Sequence, residues 1–273
     1  MGKKINFIVL CCSMFAAMAA CSQDTLAPGA KYVALGSSFA AGPGIEVQEG
    51  SCGRSDNNYS HLIAAELGLT ITDVSCNGAT TANIVDTPQG DAAPQIEAVS
   101  PDTALVTVTI GGNDINYTSS TFACSGKTAA ENCAANLDQG AINAALNQLP
   151  NKLGEMFDAI KARAPEAAIV LVAYPRVFPT DAISCEELEL SADDTSYLAA
   201  LGQKLEDTFV SVAASNQVLI ADAYVHAEGH GPCADSERWV NGATIAEDGI
   251  RYHPTAYGHR EMARLALAAL GSN

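Results

Sequence analysis

The sequence predicts an α/β fold, a parallel sheet with helices on both faces. Three observations predict it. From Lys31 onward, short β-forming runs alternate with stretches of helical periodicity, the pattern of parallel strands joined by crossover helices. One run, Ala168 to Ala173 (AIVLVA), is apolar at every position, as suits a strand covered on both faces. No repeat, low-complexity tract or long linker divides the alternation, so residues 31–273 are expected to form one domain.

Tyr32-Val33-Ala34-Leu35 is the first expected strand and ends at Gly36. Asn57 to Leu67 has helical spacing, with Leu62, Ile63 and Leu67 on one face. Thr70 to Val74 alternates as a strand does. Ala104 to Ile110 (ALVTVTI) is rich in β-branched residues and runs into Gly111-Gly112. Ala141 to Ala164 reads as a long helix that Pro150 is expected to interrupt or kink. After the apolar run at 168–173, Ser196 to Ala214 reads as helix and Val218 to Ala221 as a last short strand. Thr255 to Leu270 closes the chain as an amphipathic helix.

The segment before Lys31 is of a different kind. Met1 to Asn6 carries Lys3 and Lys4, and Phe7 to Ala20 is an apolar run broken only by Ser13. It falls short of the roughly 20 apolar residues that span a bilayer. A basic start, a short apolar middle and a small-residue end describe an export signal over residues 1–20. Gly2 does not start a myristoylation motif, because position 6 is Asn. Met18-Ala19-Ala20-Cys21 resembles the bacterial lipobox, which makes Cys21 the expected lipidated first residue of the mature chain. Cysteine parity agrees. Of nine cysteines, Cys11 and Cys12 leave with the signal, and lipidation of Cys21 leaves an even six: Cys52, Cys76, Cys124, Cys133, Cys185 and Cys233. Six cysteines in an exported domain suggest three disulfides, for which spacing alone permits fifteen pairings. Residues 22–30, with Pro28 and Gly29, read as a tether. The expected location is therefore the bacterial cell envelope through the lipid, or the secreted fluid.

Composition excludes several functions. Lys and Arg number 14 against 31 Asp and Glu, a formal net charge of -17. Nucleic acids are bound by basic groups that displace phosphate counterions, and anionic lipid by polybasic surfaces. Neither partner suits this chain. Hydrophobic residues at 48% against 16% charged exclude a disordered tail.

Four short blocks fall where strands end, the place where ligands bind in open parallel sheets. Gly36-Ser37-Ser38-Phe39-Ala40-Ala41-Gly42 runs from a strand into helix-compatible residues. A serine there suits either an N-cap or a nucleophile; a phosphate loop is disfavoured, because no Gly-Lys-Ser/Thr follows. Ser75-Cys76-Asn77-Gly78-Ala79-Thr80-Thr81 and Gly111-Gly112-Asn113-Asp114 follow two further strands, and each taken alone is compatible with a simple turn. Asp248-Gly249-Ile250-Arg251-Tyr252-His253-Pro254 precedes the last helix, where a lone His also suits a cap or the surface. His226, His230 and Cys233 have a spacing that could bind zinc on a helix, but Gly229, Gly231 and Pro232 make the segment a loop. No metal or cofactor is expected. His259 is expected on a helix surface, and His61 is given no role.

Together and in this order, the four blocks resemble the SGNH hydrolases, also called the GDSL esterase/lipase family, from Lys31 to Gly271. The resemblance implies a three-layer α/β/α sandwich, flavodoxin-like, with a five-stranded parallel sheet. It maps Ser38 onto the nucleophile, Ser38, Gly78 and Asn113 onto the oxyanion donors, and His253 onto the base, with the His253-Pro254-Thr255-Ala256-x-Gly258 context usual for the family. Two departures stand out. The family usually has Gly-Asp-Ser where this chain has Gly36-Ser37-Ser38, so Ser37 competes with Ser38 in register; the spacing to Phe39 and Gly42 favours Ser38. Many members place Asp three residues before the His, where this chain has Ile250. Secreted three-disulfide members orient the imidazole through a backbone carbonyl, and His230, Cys233 and Trp239 echo them. The expectation is a Ser-His dyad helped by the Ile250 carbonyl, with Asp248 as the alternative acid. The same resemblance implies the pairs Cys52–Cys76, Cys124–Cys133 and Cys185–Cys233.

The function implied is that of an exported serine esterase or lipase. It would act as a monomer on a small or lipid ester, through an acyl-enzyme. An acyltransferase, a polysaccharide de-acetylase, or a non-catalytic surface lipoprotein binding glycan or lipid are the alternatives. The loops near Phe122, Phe178 and Trp239 could suit an acyl chain or could be core.

Overall fold

The first apolar run forms strand β1 (Lys31–Gly36), whose residues after Lys31 are all buried. The chain turns through helix α1 (Ser38–Ala41) and a hairpin of two-residue strands, β2 (Gln48–Glu49) and β3 (Arg54–Ser55). Helix α2 (Tyr59–Leu67) starts where the Asn58 side chain accepts the Ser60 and His61 N–H groups, and it ends at the left-handed Gly68. Strand β4 (Thr70–Asp73), helix α3 (Thr81–Val85) and strand β5 (Thr103–Thr109) follow. Helices α4 (Tyr117–Cys124), α5 (Cys133–Asn136) and α6 (Gln139–Arg163) lead to strand β6 (Ala168–Val172). Helix α7 (Ala192–Asn216), strand β7 (Leu219–Ala221), helix α8 (Ala223–His226) and helix α9 (Ala256–Ala269) complete the chain. This computed structural model describes residues 26–179, 181, 184–246 and 248–271. The expected signal segment, Cys21 and residues 22–25 lie outside the described residues. Among the described residues, backbone bonding already ties part of the expected tether to the domain. Gly29 N–H donates to the Gly68 carbonyl at 2.7 Å, and the Ala30 carbonyl accepts from Thr70 N–H at 2.9 Å.

Five strands form one parallel sheet in the order β4-β1-β5-β6-β7. Val33 is paired with Thr72 on one side and Val106 on the other. Helices α2 and α9 pack together, while α6 and α7 pack together with α3 against α6 and α4 against α7, giving the layered α/β architecture. β1 and β5 are neighbours whose onward connections leave in opposite directions, β1 toward β4 and β5 toward β6. Such a pair leaves a crevice at its carboxyl ends.

At Pro150, where an interruption or a kink is expected, the interruption is absent. Helix α6 runs unbroken through Pro150. The proline removes one i→i−4 bond and costs roughly 3 kcal/mol in a helix interior. Pro150 is exposed, while Ile142, Leu149, Leu153, Met156, Phe157 and Ile160 are buried on the other face. That apolar face offsets the loss. The cysteines pair as the resemblance implies, Cys52 with Cys76, Cys124 with Cys133 and Cys185 with Cys233. Among the described residues no helix is long and apolar enough to cross a membrane.

Candidate active site

Strand β1 delivers two serines into the crevice. Gly36 has φ +141°, and a Cβ there would come within 2.5 Å of the Thr109 carbonyl oxygen, so only glycine lets β1 end this close to β5. Its amide and carbonyl are both held by the Gln95 side chain, at 2.8 and 2.9 Å. Ser37 N–H donates to the Thr109 carbonyl at 2.9 Å, which fixes the turn. The Ser37 hydroxyl points to the Tyr174 hydroxyl at 3.2 Å. Ser38 faces the other way, with its Oγ 2.8 Å from His253 Nε2. The register favoured by spacing is thus the one that brings a serine to the histidine. Ser38 opens helix α1, so its N–H has no carbonyl within the helix.

His253 lies just before α9, where the Thr255 side chain caps the helix by accepting Gly258 N–H. It is 2% exposed. Its Nδ1 lies 2.8 Å from the carbonyl oxygen of Arg251. A carbonyl can only accept, so Nδ1 carries the proton and Nε2 presents a lone pair to the Ser38 hydroxyl. Neither expected partner occupies this place. The Ile250 carbonyl instead accepts the backbone N–H of His253 at 3.2 Å, which closes a tight turn. Tyr252 has φ +59° in the turn, which aims the Arg251 carbonyl at the ring instead. Asp248 Oδ1 accepts Ala256 N–H at 2.8 Å and so serves the start of α9. Asn241 holds the same turn through the Asp248 carbonyl at 2.5 Å.

Burial pushes the His253 imidazole down to about 4, opposed in part by its bond to the Arg251 carbonyl. The sign is unambiguous: the ring is neutral above that value and loses its lone pair as pH falls through it. The pH profile of kcat/KM is therefore expected to stay flat from neutral pH down to about 5. Its acid limb should centre near 4 rather than at the ordinary histidine value. A limb near 6.5, measured with an uncharged ester, would contradict this placement of the ring.

The other two blocks meet beside β1. Cys76 N–H donates to the Gly36 carbonyl at 3.0 Å, and Ala79 N–H closes a turn onto the Cys76 carbonyl at 3.0 Å. Gly78 sits inside that turn at φ +83°, and its N–H lies outside the turn's hydrogen bond. Asn113 donates from Nδ2 to the Ala79 carbonyl at 2.8 Å, which leaves the second amide hydrogen of its NH2 group. Asp114 fastens the same two loops. Its carboxylate accepts Thr81 N–H at 3.0 Å and the Thr81 hydroxyl at 2.6 Å, with Lys152 Nζ 3.6 Å away. Ser38, the Gly78 turn and Asn113 therefore lie at the carboxyl ends of three adjacent strands.

Aromatic rings surround the imidazole. Phe39 lies 4.8 Å from the His253 ring centre and Phe122 6.4 Å. Phe122 is 36% exposed, whereas Phe178 and Trp239 are buried. Of the three aromatic residues considered for an acyl chain, Phe122 alone is solvent-accessible, with the Arg251 guanidinium 5.2 Å above its ring. His259 is not on a helix surface. It is fully buried, accepts Tyr59 N–H at Nδ1 (3.1 Å) and stacks on the Tyr59 ring, so it ties α9 to α2. Burial, and secondarily the nearby His253, hold it down near 3. His226 Nδ1 meets the Asp222 carbonyl, His230 stacks on Trp239, and Cys233 is disulfide-bonded, so these three are engaged separately. Cys124, Cys133 and Asp194 lie together, but the two thiols are joined to each other. Tyr174 is the site residue that the sequence reading missed. The one signal for it was a polar hydroxyl directly after the apolar run 168–173.

Comparisons with known proteins agree with this geometry. Residues 34–261 match the model of the GDSL-like Lipase/Acylhydrolase family. Lipase 2 of Streptomyces coelicolor is 33% identical, over 93% of this chain and 90% of its own. The crystal structure of the extracellular lipase of Streptomyces rimosus superposes with a TM-score of 0.73 at 28% identity, over 88% of this chain and 100% of that one. Phospholipase A1 of Streptomyces albidoflavus gives 0.74 at 26% identity, over 89% and 99%.

Proposed function

The chain belongs to the GDSL-like lipase/acylhydrolase family and is a carboxylic ester hydrolase, and from that premise we propose that Ser38 and His253 carry out the reaction as a dyad, in an exported enzyme. The observation that carries the reading is the 2.8 Å contact between Ser38 Oγ and His253 Nε2, with Nδ1 held by the Arg251 carbonyl.

The steps follow from what each atom can do. A neutral hydroxyl is a poor nucleophile, so His253 Nε2 takes the Ser38 proton as Oγ attacks the ester carbonyl. The negative charge that develops on the substrate oxygen needs fixed donors. The Ser38 N–H, the Gly78 N–H and the free amide hydrogen of Asn113 are the groups at hand. Loss of one such donor typically lowers kcat by about 10²–10³. His253 then gives its proton to the leaving alcohol, and water attacks the acyl-enzyme with His253 again as base. The Arg251 carbonyl holds the tautomer throughout and does not exchange a proton.

Three disulfides and an extracellular relative support export. The even count of cysteines left after Cys21 supports cleavage there with lipid attachment, residues 31–273 being the hydrolase domain. One experiment reads both levels. Treatment with a fluorophosphonate, followed by peptide mass mapping, should place one phosphonyl group on Ser38. The mature N-terminal peptide should begin at Cys21 with the mass of attached lipid. Hydrolysis of p-nitrophenyl esters with the adduct on another residue would remove the dyad. An unmodified Cys21 would remove the anchor and leave the chemistry intact.

A further inference from the structure

The missing acid of the first block leaves a buried serine hydroxyl that the chemistry above does not use. Ser37 is 1% exposed. Its Oγ lies 3.2 Å from the Tyr174 hydroxyl, and the same Tyr174 oxygen accepts the Gly112 N–H at 3.2 Å. One phenolic group thus touches the turn that carries Ser38 and the turn that carries Asn113. The fit is close on each side. A Cβ on Gly112 would come within 2.9 Å of the Tyr174 oxygen, and the Tyr174 ring packs on Phe39 with centroids 4.3 Å apart. Phe39 in turn packs against the His253 ring.

We propose that Tyr174, bonded to Ser37 and Gly112, is a positioning residue for ester hydrolysis, holding the nucleophile turn and the Asn113 turn at the separation that lets both aim at one substrate oxygen. The inference rests on the assignment of Ser38 and Asn113 above. Preorganised donors act because they need no rearrangement as charge develops, and a displacement of about 1 Å can cost about 10²-fold in rate. Ser37 reaches only as far as the Tyr174 hydroxyl, and Tyr174, two residues past the end of β6, carries the contact on to Gly112. Burial pushes the Tyr174 phenol up to about 12, so it stays a neutral, two-way hydrogen-bonding group at any working pH.

The test is a double-mutant cycle of Tyr174→Phe and Ser37→Ala, with kcat and KM measured separately on a p-nitrophenyl ester. Tyr174→Phe keeps the ring against Phe39 and removes the oxygen, leaving a buried N–H on Gly112 unpaired. It is expected to lower kcat about ten- to thirtyfold with KM within about twofold. Ser37→Ala is expected to cost about two- to fivefold, because Tyr174 still holds Gly112. If both act through one shared bond, the double variant is no slower than Tyr174→Phe alone. Three results would each overturn the proposal: kcat of Tyr174→Phe within twofold of wild type, a change carried by KM, or losses that multiply in the double variant. Fluorophosphonate labelling keeps the two levels apart. A failure of the underlying assignment shows as no adduct on Ser38 in the wild type. A failure of the positioning role shows as a Ser38 adduct formed equally fast in wild type and Tyr174→Phe.

Discussion

Ser38→Ala is expected to lower kcat by about 10⁵- to 10⁶-fold, the scale on which serine hydrolases lose activity when the nucleophile is removed. Ser37→Ala beside it serves as the internal control, because the two serines are adjacent and almost equally buried. Their difference is geometric. Ser38 Oγ meets the imidazole at 2.8 Å, whereas Ser37 Oγ meets a tyrosine hydroxyl and, among the described residues, has no base within hydrogen-bond reach. A buried hydroxyl without a base stays protonated, so Ser37 cannot take over when Ser38 is lost. Residual turnover in Ser38→Ala should reflect the oxyanion donors and substrate binding alone. The measurement is initial-rate hydrolysis of p-nitrophenyl acetate and p-nitrophenyl butyrate, with near-ultraviolet circular dichroism to establish that each variant is folded. Wild-type rates in Ser38→Ala together with collapse in Ser37→Ala would reverse the register.

The parts of the site that the sequence discloses are those fixed by chain position. Ser38, Gly78 and Asn113 each follow a β-forming run by a few residues, and a strand's carboxyl end determines where such a residue emerges. The same holds for the sheet, because strand existence follows from β-branched runs such as 104–110. Parts that depend on the turning of a single peptide are not disclosed. Whether Ile250 or Arg251 offers its carbonyl to His253 turns on the positive φ of Tyr252, and no composition signal marks a tyrosine for that conformation. His259 shows the other kind of limit. Helical periodicity places it on α9, but the N-terminus of α2, which it meets through Tyr59 N–H, is two hundred residues away in the chain. Pro150 was legible as a helix breaker and is nonetheless spanned, because propensity is local and the buried face of α6 is not. Disulfide pairing came from family resemblance, since the spacings themselves leave every pairing open.

His253→Ala is expected to cost about 10⁵- to 10⁶-fold in kcat, close to the loss from removing the serine, since nucleophile and base act as one unit. The contrast that gives this meaning is Asp248→Asn. In a triad, replacing the acid by its amide presents the wrong partner to Nδ1 and lowers kcat by about 10⁴. Here Asp248 Oδ1 accepts the Ala256 N–H, and an asparagine oxygen can accept the same bond. Asp248→Asn is therefore expected to lose less than about tenfold, and a loss near 10⁴ would reinstate it as the acid. The absence of a carboxylate at Nδ1 has an energetic consequence. Burial, only partly opposed by the Arg251 carbonyl, holds the imidazole near 4 instead of 6.5, which makes its protonated form roughly 3 kcal/mol harder to reach than in water. The carbonyl dipole carries no net charge and does not close that gap. On the proposed dyad, that cost would be met in the transition state, where the imidazolium forms beside the developing oxyanion and its donors. With that proposed dyad, catalysis would lean more on the fixed placement of Gly78 and Asn113 than in an enzyme whose histidine is backed by an acid. Loosening those turns should slow turnover without moving the acid limb set by His253.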